Sequence, residues 1–373
     1  MISDSVRPNR PTREERLAQV THGLEEFHGG ERNGDTEGLG EIEYDIVAVP
    51  GLGADPIQCW AGPKPNTTRP DQRDTLNLND DNESEPFNWL TSVEGLHDNF
   101  PHARIMIFHY SSAWHGDFLV RDGFSRIALG LLASLHDKRG KNMHKTRPII
   151  FIGHGVGGLI IAKAMCLAHD EPNNYPNILT NVTSCIFFGT PLHGADFSQL
   201  FVTYNTLHGP DNGNEYDYTA LLSYLTTSGP GLEEITAQFK IIAAQMQPKT
   251  KLFSFYEALE IDWNDKTKGL LEKQNRPGAV PVYTKAEHVE QFRKNGKGFS
   301  ETKESAVLDD SPVTEFGLVA FHKDLIQFKS RTDPKFGLVM EKIRPLVEGA
   351  NQVLLDRQKQ APDGTLESQL KHV

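Results

Sequence analysis

One stretch near the middle of the chain constrains the fold more than any other. Residues Ile149–Ile152 form a short apolar run typical of a strand buried on both faces, and Leu159–Ala168 have the pattern of a buried helix. Between the two segments, glycine occupies positions 153, 155, 157 and 158. Glycines at this density allow a sharp turn and a close approach of two backbones. The sequence therefore predicts a strand–turn–helix unit.

The turn matches a catalytic motif in all but one residue. In α/β-hydrolases the same layout is the nucleophile elbow, G-x-S-x-G, whose serine attacks the acyl carbon. Gly155 occupies the position of that serine. Glycine suits a strained turn but has no hydroxyl, so it cannot serve as a covalent nucleophile. We therefore expect the scaffold of an esterase without its attacking atom.

Apolar runs and helical patterns alternate on either side of this unit. The predicted strands are Asp45–Val49, Arg104–Tyr110, Ile149–Ile152, Ser184–Phe188, Leu252–Tyr256 and Phe316–Phe321. The predicted helices are Phe87–Asp98, Phe118–Lys138, Leu159–Ala168 and Asp333–Leu346. This order predicts an α/β-hydrolase fold, with a mainly parallel sheet that carries helices on both faces.

Polar composition sets the predicted limits of the domain. Residues 1–40 are predicted to be a polar N-terminal tail, 41–347 the α/β-hydrolase domain and 348–373 a C-terminal tail. Within 41–347, residues 197–248 interrupt the alternation with helical patterns and are predicted to form a lid-like insertion. A helical spacing of apolar residues predicts one short helix in the N-terminal tail, at Leu17, Val20, Leu24 and Phe27.

The remaining catalytic groups occur in the order expected of this fold. A predicted strand ends at Glu257, the candidate acid, and the last predicted strand runs into His322, the candidate base. Glu260 and Asp262 are alternative acids. The oxyanion hole is expected to use the backbone N–H groups of Leu52, after the first predicted strand, and of Val156, after the elbow.

Five motifs in order resemble a known family of hydrolases. They are Val49–Trp60, Ile149–Ile160, Ile186–Ala195, Ser305–Leu308 and His322–Phe328. Together they resemble the lipase group that includes the serine-active-site-containing protein and GPI-inositol deacylase. The resemblance is greatest to lipase-like N-terminal domains of fungal NACHT-type (NLR-like) immune receptors, and it covers residues 44–347.

The resemblance implies an ester or lipid-like ligand and no metal or organic cofactor. It places His154, Leu192 and His193 at the ligand-binding site, with Gly155 at the nucleophile position. Three residues depart from the typical motifs: Gly155 replaces serine, while Pro50 and Leu192 replace histidines. A catalytically degenerate hydrolase domain that binds an acyl ester or lipid-like molecule is the expected function.

Composition narrows the possible partners and location. The formal net charge of −12 argues against nucleic acid, whose binding proteins present basic surfaces, and against electrostatic attachment to anionic lipid. Three widely spaced cysteines and the lack of a signal-like apolar segment predict a cytoplasmic protein. No transmembrane segment is expected, because His154 and Lys163 interrupt the one long apolar stretch.

Three other interpretations stay open at this point. The chain could be an active carboxylic-ester hydrolase captured as a nucleophile mutant. It could be a sensing or interaction module that contacts a protein partner through its terminal helices. Finally, Gly153, Gly155 and Gly158 also spell the G-x-G-x-x-G pattern of a dinucleotide-binding protein, although that pattern normally has an acidic residue about 20 positions on.

Overall fold

The computed structural model describes ten segments of the chain. They are residues 23–28, 41–63, 85–110, 123–140, 146–194, 230–259, 261–262, 297–298, 303 and 313–360.

A seven-stranded sheet runs through the centre of these segments. Its strands are β1 (Gly23–His28), β2 (Tyr44–Val49), β3 (Ala103–His109), β4 (Ile149–His154), β5 (Val182–Phe188), β6 (Lys251–Glu257) and β9 (Val313–Leu318), in the spatial order β1-β3-β2-β4-β5-β6-β9. Every neighbouring pair is parallel except β1 and β3, which are antiparallel. Two further short strands, β7 (Ile261–Asp262) and β8 (Lys297–Gly298), pair with each other.

Helices cover both faces of the sheet. They are α1 (Gly123–Lys138), α2 (Val156–Asp170), α3 (Ile178–Asn181), α4 (Pro230–Gln245), α5 (Pro334–Glu348) and α6 (Ala350–Gln360). Shorter turns of 3-10 helix lie at Gln58–Trp60 and His322–Ile326. None of the helices in the described part of the chain is long and apolar enough to cross a bilayer.

Successive side chains of a strand point to opposite faces of the sheet, and here the side chains on both faces are apolar, so both faces must be covered by helices. Along β2, Val47 and Val49 belong to one hydrophobic cluster, whereas Ile46 and Ala48 belong to the other. The first cluster also contains residues of α1, α2 and α4, and the second contains residues of α5 and α6. The apolar runs of the sequence are therefore the signature of a sheet buried between two helical layers, as predicted.

The predicted α/β-hydrolase fold is confirmed, with its elbow between β4 and α2 at the centre of the sheet. The predicted strands agree with the observed ones to within three residues. The last strand differs most, because β9 covers 313–318 rather than 316–321. Leu159–Ala168 lies within α2, and Asp333–Leu346 corresponds to α5, whose N-cap is Asp333.

The predicted helix at 87–98 is wrong. Only a π-helical turn at Val93–His97 forms, and Gly95 within it has non-helical angles (φ −89°, ψ −124°). A Cβ on Gly95 would lie 2.2 Å from the carbonyl oxygen of Trp89. The backbone of this segment therefore folds back on itself around the buried Trp89, which a regular helix could not do.

The segment predicted as an N-terminal tail contributes a strand to the sheet. Leu24 and Phe27 lie on β1, so the predicted helical stripe is wrong for these residues; Leu17 and Val20 lie outside the described residues. Hydrogen bonding to the edge of β3 explains the outcome, because β1 pairs with the backbone groups that a helix would have left without partners.

Two further predicted boundaries differ from the packing. Helix α4, in the segment predicted as a lid-like insertion, packs on the sheet through Phe239, whose ring centroid is 5.9 Å from that of Phe187. Residues 195–229 lie outside the description. Helix α6, predicted as C-terminal tail, buries Arg357 to 1% exposure. Residues 361–373 also lie outside the description.

The guanidinium of Arg357 attaches α6 to the sheet. It donates to the carbonyl oxygens of Thr180 (2.8 Å), Val182 (2.9 Å) and Pro248 (2.9 Å), and to the hydroxyl of Thr250 (3.1 Å). Burial lowers the pKa of this guanidinium to about 10, so it stays charged at neutral pH. The packed part of the chain therefore extends to residue 360.

Candidate functional site

A sharp backbone turn at Gly155 joins β4 to α2. Gly155 has φ 51° and ψ −127°, a conformation that residues with a side chain rarely adopt. Its N–H donates to the carbonyl oxygen of Phe188 at the end of β5 (2.9 Å). The turn therefore has the backbone geometry of the predicted nucleophile elbow, with a bare Cα at its tip.

The other glycines of the elbow are required by close packing. A Cβ on Gly153 would lie 2.6 Å from the Cα of Gly158, and one on Gly158 would lie 2.1 Å from Oγ1 of Thr190. Both distances are far below a normal van der Waals contact. Packing inside the protein thus accounts for the G-x-G-x-x-G spacing, with no need for a bound nucleotide.

Gly157 joins the elbow to the loop after β2. A Cβ on this residue would lie 2.2 Å from the carbonyl oxygen of Val49 and 2.5 Å from that of Pro50. The hydroxyl of Tyr110 donates to the carbonyl oxygen of Pro50 (2.8 Å) and holds this loop in place. The two predicted oxyanion donors, the N–H groups of Val156 and Leu52, therefore belong to segments that are packed against each other.

His322 lies opposite the tip of the elbow. A Cβ placed on Gly155 would be 3.1 Å from Nε2 of His322 and 3.6 Å from its Cε1. The other side of the ring faces Gly189, where a Cβ would lie 2.7 Å from Nδ1. Gly189 has φ 54°, so this turn too depends on glycine. The structure thus brings the predicted nucleophile position and the predicted base together.

His154 connects the elbow to the segment that carries His322. It is 8% exposed, and its Nε2 lies 3.3 Å from the carbonyl oxygen of His322, so that nitrogen is the one that donates. The two imidazole centroids are 4.7 Å apart. The ring of Trp60 lies edge-on to His154, with centroids 6.4 Å apart.

Both imidazoles are held in the neutral form. Burial lowers the pKa of His154 from the usual 6.5 to about 4, although the hydrogen bond to His322 opposes this shift. Burial of the ring, together with the neighbouring His154, lowers the pKa of His322 well below its usual value. Although His322 as a residue keeps some exposure, its ring is neutral at pH 7 and can accept a proton.

The identity of the acid stays open. Glu257 is the last residue of β6, is 1% exposed and pairs in register with Leu318. It lies at the same end of the sheet as His322, since β6 and β9 are parallel. Glu260 is outside the described residues, as is the side chain of Asp262. The assignment of Glu257 therefore remains a prediction.

Two further residues predicted to bind ligand follow β5. Leu192 is fully buried in the first hydrophobic cluster, and His193 is partly exposed. Their roles at a ligand also remain predictions. The described residues contain no group of three or more His, Cys, Asp or Glu side chains that could hold a metal ion.

Trp60, Tyr110 and Gly189 are the residues of the site that sequence reasoning missed. Each positions a neighbour: Trp60 contacts His154, Tyr110 fixes Pro50, and Gly189 makes room for the ring of His322. Trp60 and Gly189 fall within recognised motifs, but their partners are distant in sequence. Only the folded chain shows what they contact.

Comparison with known proteins gives remote similarities. No protein-family model matches the chain. Protein SERAC1 of zebrafish (Danio rerio) is 22% identical over 221 residues, which cover 58% of this chain and 31% of that protein. The chain therefore spans about a third of the length of this relative.

Three solved structures are similar in fold. Phospholipase PlaB from Legionella pneumophila has a TM-score of 0.42 and 12% identity, over 85% of this chain and 64% of that chain. Lipase BlEst2 from Bacillus licheniformis has a TM-score of 0.36 and 17% identity, over 87% and 97%. The monoacylglycerol lipase of Paleococcus ferrophilus has a TM-score of 0.35 and 13% identity, over 89% and 99%.

These similarities are too remote to assign an activity. The evidence for the α/β-hydrolase fold is therefore the strand order and the elbow of this chain itself. The predicted likeness to fungal NACHT-type receptors is not addressed by the proteins named here and stays a prediction.

Proposed function

We propose that this chain is an α/β-hydrolase domain of the ester-hydrolase type that binds an acyl ester or lipid-like ligand but cannot form an acyl-enzyme at Gly155. The single observation that carries the proposal is the position of His322, whose Nε2 lies 3.1 Å from where the Cβ of a serine would be. A base in that place serves a hydroxyl at the elbow, and the hydroxyl is absent.

The backbone part of such a site is independent of the missing side chain. The N–H groups of Leu52 and Val156, assigned here as oxyanion donors, would stabilise negative charge on a carbonyl oxygen. A neutral imidazole at His322 would face the same carbonyl. This combination supports an ester or similar carbonyl compound as the ligand.

Loss of the nucleophile has a large expected cost. In subtilisin, removal of the nucleophilic serine lowers turnover about 10⁶-fold, and the rate that remains comes from binding and the oxyanion hole. This chain should therefore bind its ligand but turn it over very slowly. Binding without turnover is consistent with a binding or sensing role.

Restoring the serine tests the proposal directly. The protein and its Gly155→Ser variant are incubated with a fluorophosphonate probe and with p-nitrophenyl esters of different acyl length. We expect labelling of the variant on Ser at position 155, with a burst of p-nitrophenol, and no labelling of the unaltered protein.

The double variant Gly155→Ser/His322→Ala is the matched control. It should lose labelling while it keeps the unfolding transition of Gly155→Ser, because only the base is removed. Labelling of the unaltered protein at a different residue would contradict the assignment of the elbow. A folded Gly155→Ser variant that neither reacts with the probe nor binds any ester would refute the proposed function.

A further inference from the structure

We infer that the unaltered chain has a slow, serine-independent hydrolase activity in which His322 activates a water molecule to attack an ester or thioester that has a good leaving group. The inference rests on the proposed function, since it uses the same ligand site. It goes further by naming an attacking group, a base and a class of substrate.

The ring of His322 is the group that faces the tip of the elbow. Among the residues that the structure describes, the only atoms within 4 Å of a Cβ placed on Gly155, apart from its chain neighbours, are Nε2 and Cε1 of His322. The imidazole therefore faces the position from which a nucleophile at the elbow would attack.

Gly155 leaves room beside the ring of His322. A serine would fill the elbow with a CH₂–OH group, whereas Gly155 contributes nothing beyond its Cα. A water molecule takes up about 30 Å³, which is comparable to that group.

The ring of His322 is also in the protonation state that a base needs. Burial and the neighbouring His154 lower the pKa of His322, so its ring is neutral at pH 7 and also in mild acid. A neutral ring accepts the proton of water, although a low pKa makes it a weak base. The hydrogen bond from His154 to the carbonyl oxygen of His322 holds the base in position.

The reaction balances without any further reagent. The oxygen of a water molecule bonds to the carbonyl carbon while His322 takes a proton from that water. The carbonyl oxygen becomes negative between the N–H groups of Leu52 and Val156. The intermediate then expels the phenolate or thiolate and leaves the carboxylic acid. The imidazolium returns its proton to the leaving group, or to solvent where the leaving group is a stable anion.

The expected rate follows from these parts. Sites that lack a triad member keep about 10³–10⁴-fold catalysis over water, and general-base catalysis contributes about 10²–10⁴-fold. Because the base is weak, aryl esters and thioesters should react measurably and simple alkyl esters should not. With a poor leaving group, the tetrahedral intermediate would expel water and re-form the ester instead of releasing the acid.

The experiment compares four proteins on p-nitrophenyl butyrate: the unaltered chain, His322→Gln, Gly155→Ala and Gly337→Ala. We expect the unaltered chain to release p-nitrophenol linearly, without a burst, and His322→Gln to be about 10²-fold slower. Gly155→Ala should be about tenfold slower or more, because its methyl carbon, 3.1 Å from Nε2, would take up the space between the elbow and the imidazole that a water molecule needs.

Gly337→Ala should keep the full rate, since no atom of a neighbouring element in the described part of the chain lies within 4 Å of a Cβ at that position. The pH profile supplies a second readout. The rate should fall in acid with an inflection below pH 6.5, where His322 becomes protonated, and it should show a solvent deuterium isotope effect. Unfolding transitions establish that His322→Gln and Gly155→Ala are folded.

The outcomes separate this inference from the proposed function. Equal rates for the unaltered chain and a folded His322→Gln variant would overturn the inference, as would a burst or an acyl group on the protein by mass spectrometry. Binding of a p-nitrophenyl butyl ketone, followed by thermal shift, tests the ligand site alone. If the ketone binds and no His322-dependent hydrolysis occurs, only the inference fails.

Discussion

Gly157→Ala should damage the site through backbone packing alone. The Cβ introduced by this change would lie 2.2 Å from the carbonyl oxygen of Val49, whereas ordinary contact begins at 3.4 Å. The first turn of α2 and the loop after β2 would have to separate by about 1 Å, because both contacting groups are backbone and neither can rotate away.

The size of the effect follows from that displacement. Overpacking of this kind costs about 1–3 kcal/mol of unfolding free energy. The same shift separates the segments that carry Leu52 and Val156, and a misplacement of about 1 Å costs on the order of 10²-fold in rate. Urea unfolding measures the change in unfolding free energy. Fluorophosphonate labelling in the Gly155→Ser background measures the change in rate.

Gly337→Ala is the matched control for this substitution. It makes the same chemical change inside helix α5, where none of the described residues outside the helix backbone lies within 4 Å of the added carbon. Alanine is favoured over glycine in a helix by about 1 kcal/mol, so this variant should be as stable as the parent or more so. If Gly157→Ala matched Gly337→Ala in both measurements, the close approach of the elbow and the loop after β2 would be refuted.

Three other predictions concern named side chains. Arg357→Met should lower the free energy of unfolding by about 3 kcal/mol, because two buried carbonyl oxygens and one partly buried carbonyl oxygen lose a charged donor. An unchanged urea midpoint would contradict this role. In the Gly155→Ser background, His154→Phe should slow acylation about tenfold. His154→Gln should slow acylation by a smaller factor, because glutamine can still donate to the carbonyl oxygen of His322. Equal acylation rates for the two variants would argue against the hydrogen bond. Stability should fall as the pH drops from about 6.5 towards 4, because His154 in the unfolded chain takes up a proton near 6.5 and the buried ring resists until about 4. His154→Phe should make that part of the pH profile less steep in urea unfolding experiments, while His322, whose pKa is also lowered by burial, keeps the remaining slope.

Local patterns were sufficient to predict the six parallel strands of the sheet. The fully buried runs in β2, β4 and β5 consist mostly of apolar residues, as a strand buried on both faces requires. The elbow was predictable because its glycines are close in sequence and its geometry follows from them. His322 was predictable from its motif, although it begins a 3-10 turn four residues after β9 ends instead of standing at the end of the strand.

Long-range contacts account for what the sequence did not predict. Leu24 and Phe27 have a helical spacing, but the edge of β3 pairs with their backbone and makes them a strand. Arg357 lies in a polar segment that resembles a tail, and its partners at Thr180 and Pro248 are far away in the chain. The helical pattern at 87–98 was overridden by Gly95, which packs on the backbone of Trp89.

The antiparallel strand β1 affects how this domain can be dissected. It borders β3, in which five of the seven residues Ala103–His109 are apolar, and Oε2 of Glu25 lies 2.9 Å from Nε2 of His109 on that strand. His28 also donates to the carbonyl oxygen of Thr91. A recombinant fragment that started at residue 41 would leave the backbone groups of β3 open to strands of other molecules. Such a fragment should aggregate, so experiments on the isolated domain should start before Gly23 and end after Gln360.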